Sequence, residues 1–200
     1  MYNLPDSTIV HQQLPKKTIY EKFKMKASQR ESFDADISRI DIIGVVSPAT
    51  IPALAVGETV KEFYVLNVQL KRSEYDKKNI ELLSKLIPQK MILALQFEEK
   101  VQYVIHHTKP ISSVWKPVEE AVLILSGLNL DIVWENLVKE IGKISVKDGR
   151  TLIEQIVENE QKAKLLSKIN ALERKMASEK QPRRKREYFE QIKKLKISLS

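Results

Sequence analysis

The chain has 200 residues, with 34 Lys/Arg, 26 Asp/Glu and no cysteine, which excludes disulfides, thiolate catalysis and cysteine-based zinc or iron–sulfur sites. Residues 161–200 carry 13 of the cations against 4 carboxylates, while the first 160 carry 21 against 22. A near-neutral body with a basic C-terminal element is suited to an acidic partner.

In chain order, Asp6 or Ser7 is placed to cap a short helix through Val10, and a second helical turn is expected around Ile19 to Phe23. Ser28-Gln29-Arg30-Glu31 has the capping-box pattern, which predicts a helix over 29–38. Ile40 to Val46 reads as a strand, and the proline-containing residues 47–58 as a loop. Lys61 to Lys71 is the best strand pattern in the chain, with Tyr64, Leu66, Val68 and Leu70 on the face expected to meet the core. Asp76 caps a helix expected to run to Ile87, with Ile80, Leu83 and Leu86, joined by Leu82 and Ile87, as its buried stripe, and Pro88 ends it. Residues 91–97 and 101–107 read as a hairpin, and Val122 to Leu125 as a short buried strand. Asn129 or Asp131 opens a helix carrying Ile132, Val133, Leu137, Val138 and Ile141, which ends near Gly142.

From Asp148 the pattern is helical to about Lys180, and a last helix follows over 184–198. Leu165, Ile169, Leu172 and Met176 step by helical spacing, as do Tyr188, Ile192, Leu195 and Leu199, which gives each arm a coiled-coil-like apolar seam. Pro182 falls between the arms. The expected organisation is an α+β domain over 1–147, with a small mixed sheet of four or five strands and flanking helices, and a basic helical hairpin over 148–200. The seam closes within that hairpin, or else between chains as a homo-oligomer contact.

The longest apolar run, Ala121 to Leu125, is far shorter than the roughly 20 residues of a membrane span. Residues 1–6 lack the basic start and apolar core of a signal peptide. A cytoplasmic protein with no membrane partner is expected.

Leu4-Pro5-Asp6-Ser7-Thr8, Leu14-Pro15-Lys16, Gly57-Glu58-Thr59-Val60, the Val65–Lys71 strand leading to Ile87-Pro88, Leu125-Ser126-Gly127-Leu128-Asn129-Leu130-Asp131, and Glu179-Lys180-Gln181 before a basic helix together carry a resemblance. By these short motifs, spread over nearly the whole chain, it resembles the DUF4391 family. The resemblance implies no activity and no catalytic residues. It implies a setting, beside helicases and DNA methyltransferases in prokaryotic restriction- or phage-defence-like loci, and a larger DNA-processing protein as partner.

Two constellations compete for the function. In the first, Arg183, Arg184, Lys185 and Arg186 cluster at a turn, with Lys193, Lys194 and Lys196 on the helix that follows. Such cations bind a partner protein or the phosphates of a nucleic acid, whose counterions they release; a solvated charged helix has the same composition. This favours a non-enzymatic interaction subunit with no cofactor and no metal. In the second, Asp41 on one strand and Gln69-Leu70-Lys71 ending the next resemble a PD-(D/E)xK nuclease order. There carboxylates hold Mg²⁺ and the lysine positions the attacking water. Gln in place of the usual Glu removes one metal-binding charge, and a strand ending in solvent has the same residues. His106 and His107 are adjacent on a strand, so they point to opposite faces and are poorly placed to share an ion.

Overall fold

A computed structural model describes residues 2–198 of the chain. It divides into two compact units, Met1–Ile144 and Ser145–Ser200. In the first, a 3-10 turn (Asp6–Thr8) leads to β1 (Ile9–Gln13), α1 (Lys16–Lys22), α2 (Ala27–Asp36), β2 (Ile37–Val46), β3 (Phe63–Leu70) and α3 (Lys77–Leu83). Then come β4 (Lys90–Phe97), β5 (Lys100–His106), β6 (Pro110–Ser112), β7 (Lys116–Pro117) and α4 (Leu130–Gly142). The second unit contains α5 (Leu152–Ser178) and α6 (Pro182–Ile197). The fold class is α+β, as the element order predicts.

Among the described residues the sheet has seven strands, in the order β1-β2-β3-β4-β5-β6, with β7 also on β5. This exceeds the expected four or five. The extra strands β1, β6 and β7 are short and mostly exposed, so they leave no apolar alternation in the sequence. Among the named strands of the described residues β3 and β4 are the parallel pair, and α3 makes the crossover that such a pair requires. β4 and β5 form the predicted hairpin, with Phe97 opposite Lys100 and Glu98 at φ 52° in the turn.

Both faces of the central strand β3 are buried. Leu66, Val68 and Leu70 pack with Phe33 of α2, Ile19 of α1, and Ile80 and Leu83 of α3. On the opposite face the Phe63 ring lies 5.5 Å from that of Trp134 in α4, and the Tyr2 hydroxyl donates to Asn67 Oδ1 at 2.8 Å. The expected core face is present, and a second apolar layer covers the other one.

Local details correct several other expectations. Residues 9–10 belong to a strand and not to a capped helix, because the 3-10 turn ends at Thr8. α2 begins at Ala27, and Gln29 Oε1 accepts the Lys26 N–H at 2.8 Å, so the Ser28/Glu31 capping box is not the one used. Residues 122–125 form no strand. Leu123 is buried and donates its N–H to Tyr2 O at 2.9 Å, while Ile124 is exposed. The caps of α3 and α4 are as expected, with Asp76 accepting from Lys78 N–H and Asn129 from Ile132 N–H. In α4 the buried aromatic anchor is Trp134, whereas Ile132 is 41% exposed.

Candidate functional site

The C-terminal hairpin is built from strong local signals. Thr151 caps α5, donating its hydroxyl to Glu154 and accepting the Glu154 N–H, while Glu154 accepts the Thr151 N–H at 2.8 Å. Glu158 then gathers Lys147, Arg150 and Lys162 around the first turns. α5 stops at Ser178, and Pro182 is the first residue of α6, where its missing N–H has no helical partner to lose. Ile169, Leu172 and Ile192 form a buried cluster between the two helices, with Met176, Tyr188 and Leu195 packed on it. Leu199, the last residue of the predicted seam, lies outside the described residues. Glu173 and Lys196 bridge the helices at 2.9 Å.

Arg183, Arg184, Lys185 and Arg186 all fall in the opening turns of α6 and are all exposed. Cations there oppose the positive end of the helix dipole and repel one another. The compensation inside the chain is small. Arg183 reaches Glu187 at 3.5 Å, with side chains 93% and 58% exposed. Arg184 helps to hold the Glu179 carboxyl below its usual range, behind the larger effect of the Gln181 N–H that Glu179 accepts. Among the described residues Lys185, Arg186, Lys193 and Lys194 form no ion pair. The opening of α6 is therefore a concentrated, exposed positive charge that Glu179 and Glu187 offset only in part.

A feature absent from the charge pattern accompanies these cations. A groove of about 340 Å³ on α6 is lined by Phe189, Ile192, Lys193, Lys196 and Ile197. Phe189 and Ile197 are 54% and 68% exposed, and on α5 Leu166 is 51% exposed. Phe189 stands about one turn and Ile197 about three turns beyond Arg186 on α6, a spacing readable in the sequence only after the buried seam is assigned.

The alternative constellation sits on the body's sheet. Asp41 pairs with Asn67 and Arg39 with Gln69 across β2 and β3, so Asp41 and Gln69 share a face. The Asp41 carboxylate is engaged by its neighbour, with Arg39 Nε at 2.7 Å from Oδ2 and 2.9 Å from Oδ1. Lys71 lies just beyond β3, exposed, and donates its N–H to Asp36 O at 2.8 Å. Among the described residues no three carboxylate or imidazole side chains gather as a metal site. Burial lowers the pKa values of His106 and His107, assisted by Lys85 and Lys90 at His106 and by Lys90 at His107.

Asp36 is a buried carboxylate that sequence reasoning does not single out. It is fully buried at the end of α2. One oxygen takes Arg72 Nε at 2.6 Å; the other takes the Asp76 N–H at 2.9 Å and Asn79 Nδ2 at 2.7 Å. All of these bonds serve the turn between β3 and α3, so Asp36 is an architectural anchor.

The chain matches the family model of a domain of unknown function (DUF4391) over residues 2–199. No curated protein and no solved structure matches the chain.

Proposed function

We infer an interaction role for this chain, which belongs to the DUF4391 family: it docks onto a polyanionic partner through its basic helical hairpin, as an accessory subunit and not as a catalyst. The observation that carries this reading is the cluster of exposed cations that opens α6, of which Lys185 and Arg186, with Lys193 and Lys194 further along, form no ion pair among the described residues, held beside an apolar seam that is already closed by Ile169, Leu172 and Ile192. A helix with no ligand gains nothing from four cations at its positive dipole end. The setting that family resemblance implies, a DNA-modification or phage-defence assembly with a helicase- or methyltransferase-type component, supplies two such partners, an acidic protein surface and DNA. Asp41 supports the nuclease alternative less well, since Arg39 already holds its carboxylate.

The test uses heparin chromatography and titration of a fluorescein-labelled DNA duplex over a salt series, with the full chain and with the triple variant Arg184→Ala, Lys185→Ala, Arg186→Ala. Retention that weakens with salt and falls in the variant is expected. Equal behaviour of the two proteins, or no retention by either, would overturn the reading. Mg²⁺-dependent duplex cleavage abolished by Lys71→Ala would replace it with the nuclease.

A further inference from the structure

The hairpin has two stripes besides its seam. Leu166 and Glu173 are seven residues apart on α5, and Phe189 and Lys196 are seven apart on α6, so each pair shares one helix face. The Glu173–Lys196 bridge, at 2.9 Å, brings those two stripes together on one side of the hairpin. Leu166 and Phe189 are consequently exposed on the same side, on opposite helices of the pair. The groove lined by Phe189, Ile192 and Lys193 opens beside them, and Arg186 lies one turn before Phe189.

Resting on the polyanion reading above, we propose that this side of the hairpin receives an acidic amphipathic helix from a partner protein. The groove is lined from α6 by Phe189, Ile192 and Ile197, and exposed Leu166 of α5 extends the apolar surface across the seam, so a third helix can pack its own apolar stripe along that side. Lys193 and Arg186 would then meet carboxylates on the flanks of that stripe. Charge selects this occupant over a second copy of the chain, because residues 161–200 hold 13 cations against 4 carboxylates and two such segments repel. The apolar residues select it over a nucleic-acid backbone. Phosphates offer nothing to Leu166 or Ile197, whose exposure only an apolar counterpart relieves.

The experiment titrates the full chain with a fluorescent synthetic peptide of about 20 residues, long enough to be helical alone. The peptide has Leu at i, i+3, i+4 and i+7 with Glu on the flanks. A shuffled peptide of the same composition and a DNA duplex run alongside. The expected result is preference for the patterned peptide, weakened on the order of tenfold by Phe189→Ser and by Leu166→Ser, and restored by Phe189→Leu. Duplex titration should not respond to either serine variant. Circular dichroism checks that these exposed-site variants keep their helices. Equal binding of patterned and shuffled peptides, or indifference to Phe189→Ser, would overturn the acidic-helix proposal. If duplex or heparin binding still required Arg184, Lys185 and Arg186 in that case, the polyanion reading would stand without it. If that binding were also absent, both would fall.

Discussion

Asp131 and Thr59 lie 72 residues apart, and the Thr59 hydroxyl donates to Asp131 Oδ1 at 2.8 Å. The same carboxylate accepts the backbone N–H groups of Glu58 at 2.6 Å and Val60 at 2.8 Å, so the start of α4 clasps the loop before β3. Gly57 permits the approach, since a Cβ there would fall 2.4 Å from Asp131 Oδ1. Partial burial pushes the Asp131 carboxyl up, but the bonds from Thr59, Val60 and Glu58 outweigh it and hold the carboxyl below its ordinary 3.8. Asp131→Ala should therefore cost on the order of 1 kcal/mol, after discounting for solvent exposure. A lowered carboxylate pKa contributes stability above the unfolded value and loses it as pH falls through the folded one. Urea unfolding of wild type and variant should differ at pH 6 and converge as the pH drops below about 3.8. A difference that persists there would point to lost packing instead of the charged clasp.

Asp36 carries a larger share of stability because it is fully buried and its bonds tie the end of α2 to the β3–α3 turn and to Asn79 of α3. Asp36→Ala strands the Asn79 amide, the Asp76 N–H and Arg72 together. The expected cost is about 3 kcal/mol, read as a lower urea midpoint at unchanged slope. Ser38→Ala, which removes one exposed hydroxyl bonded to Gln69 O at 3.0 Å, should change stability by less than about 0.5 kcal/mol.

Features set by neighbours in the chain were legible before the structure. The Asp76 and Asn129 caps, the β4–β5 hairpin, and the stepping of Ile169 to Leu172 on α5 and of Tyr188 to Ile192 on α6 each depend on spacings of a few residues. Features set by distant partners were not. Asn67 looks like a solvent-facing strand residue until Tyr2 is seen to donate to it across 65 positions. Asp131 reads as one of two possible caps, and only the fold shows it reaching residues 58–60 while Asn129 does the capping. The cations of α6 were visible as composition. The stripe of Leu166 and Phe189 could be assigned to one side only once the Glu173–Lys196 bridge fixed how the helices face.

His107 gives the body an acid-sensitive element. Among the described residues its Nδ1 is buried without a hydrogen-bond partner, and burial, followed by the nearby Lys90, lowers its pKa from the ordinary 6.5. Glu135 opposes the shift and His106 adds to it. A depressed histidine pKa favours the neutral ring in the folded state, while the unfolded chain takes up the proton first. Its destabilising effect is absent well above pH 6.5 and grows as pH falls from there towards the folded value. His107→Gln should flatten the decline in thermal midpoint between pH 7 and 5 relative to wild type. Parallel declines would assign that slope to other groups.

The seam and the proposed partner face can be separated by stability alone. Ile192 is 5% exposed between α5 and α6, so Ile192→Ala removes buried methylenes from a small cluster and should cost about 2 kcal/mol locally. α6 has 16 residues, a length at which an isolated helix is marginal, and its cation-rich first turn weakens it further. Amide exchange should therefore accelerate throughout α6 and along α5 near Ile169 and Leu172 together. Phe189 is 54% exposed, and Phe189→Ser should leave exchange in both helices close to wild type while it weakens peptide binding. If Phe189→Ser instead accelerated exchange as Ile192→Ala does, Phe189 would belong to the hairpin's own packing, and its loss of binding could not be credited to a partner.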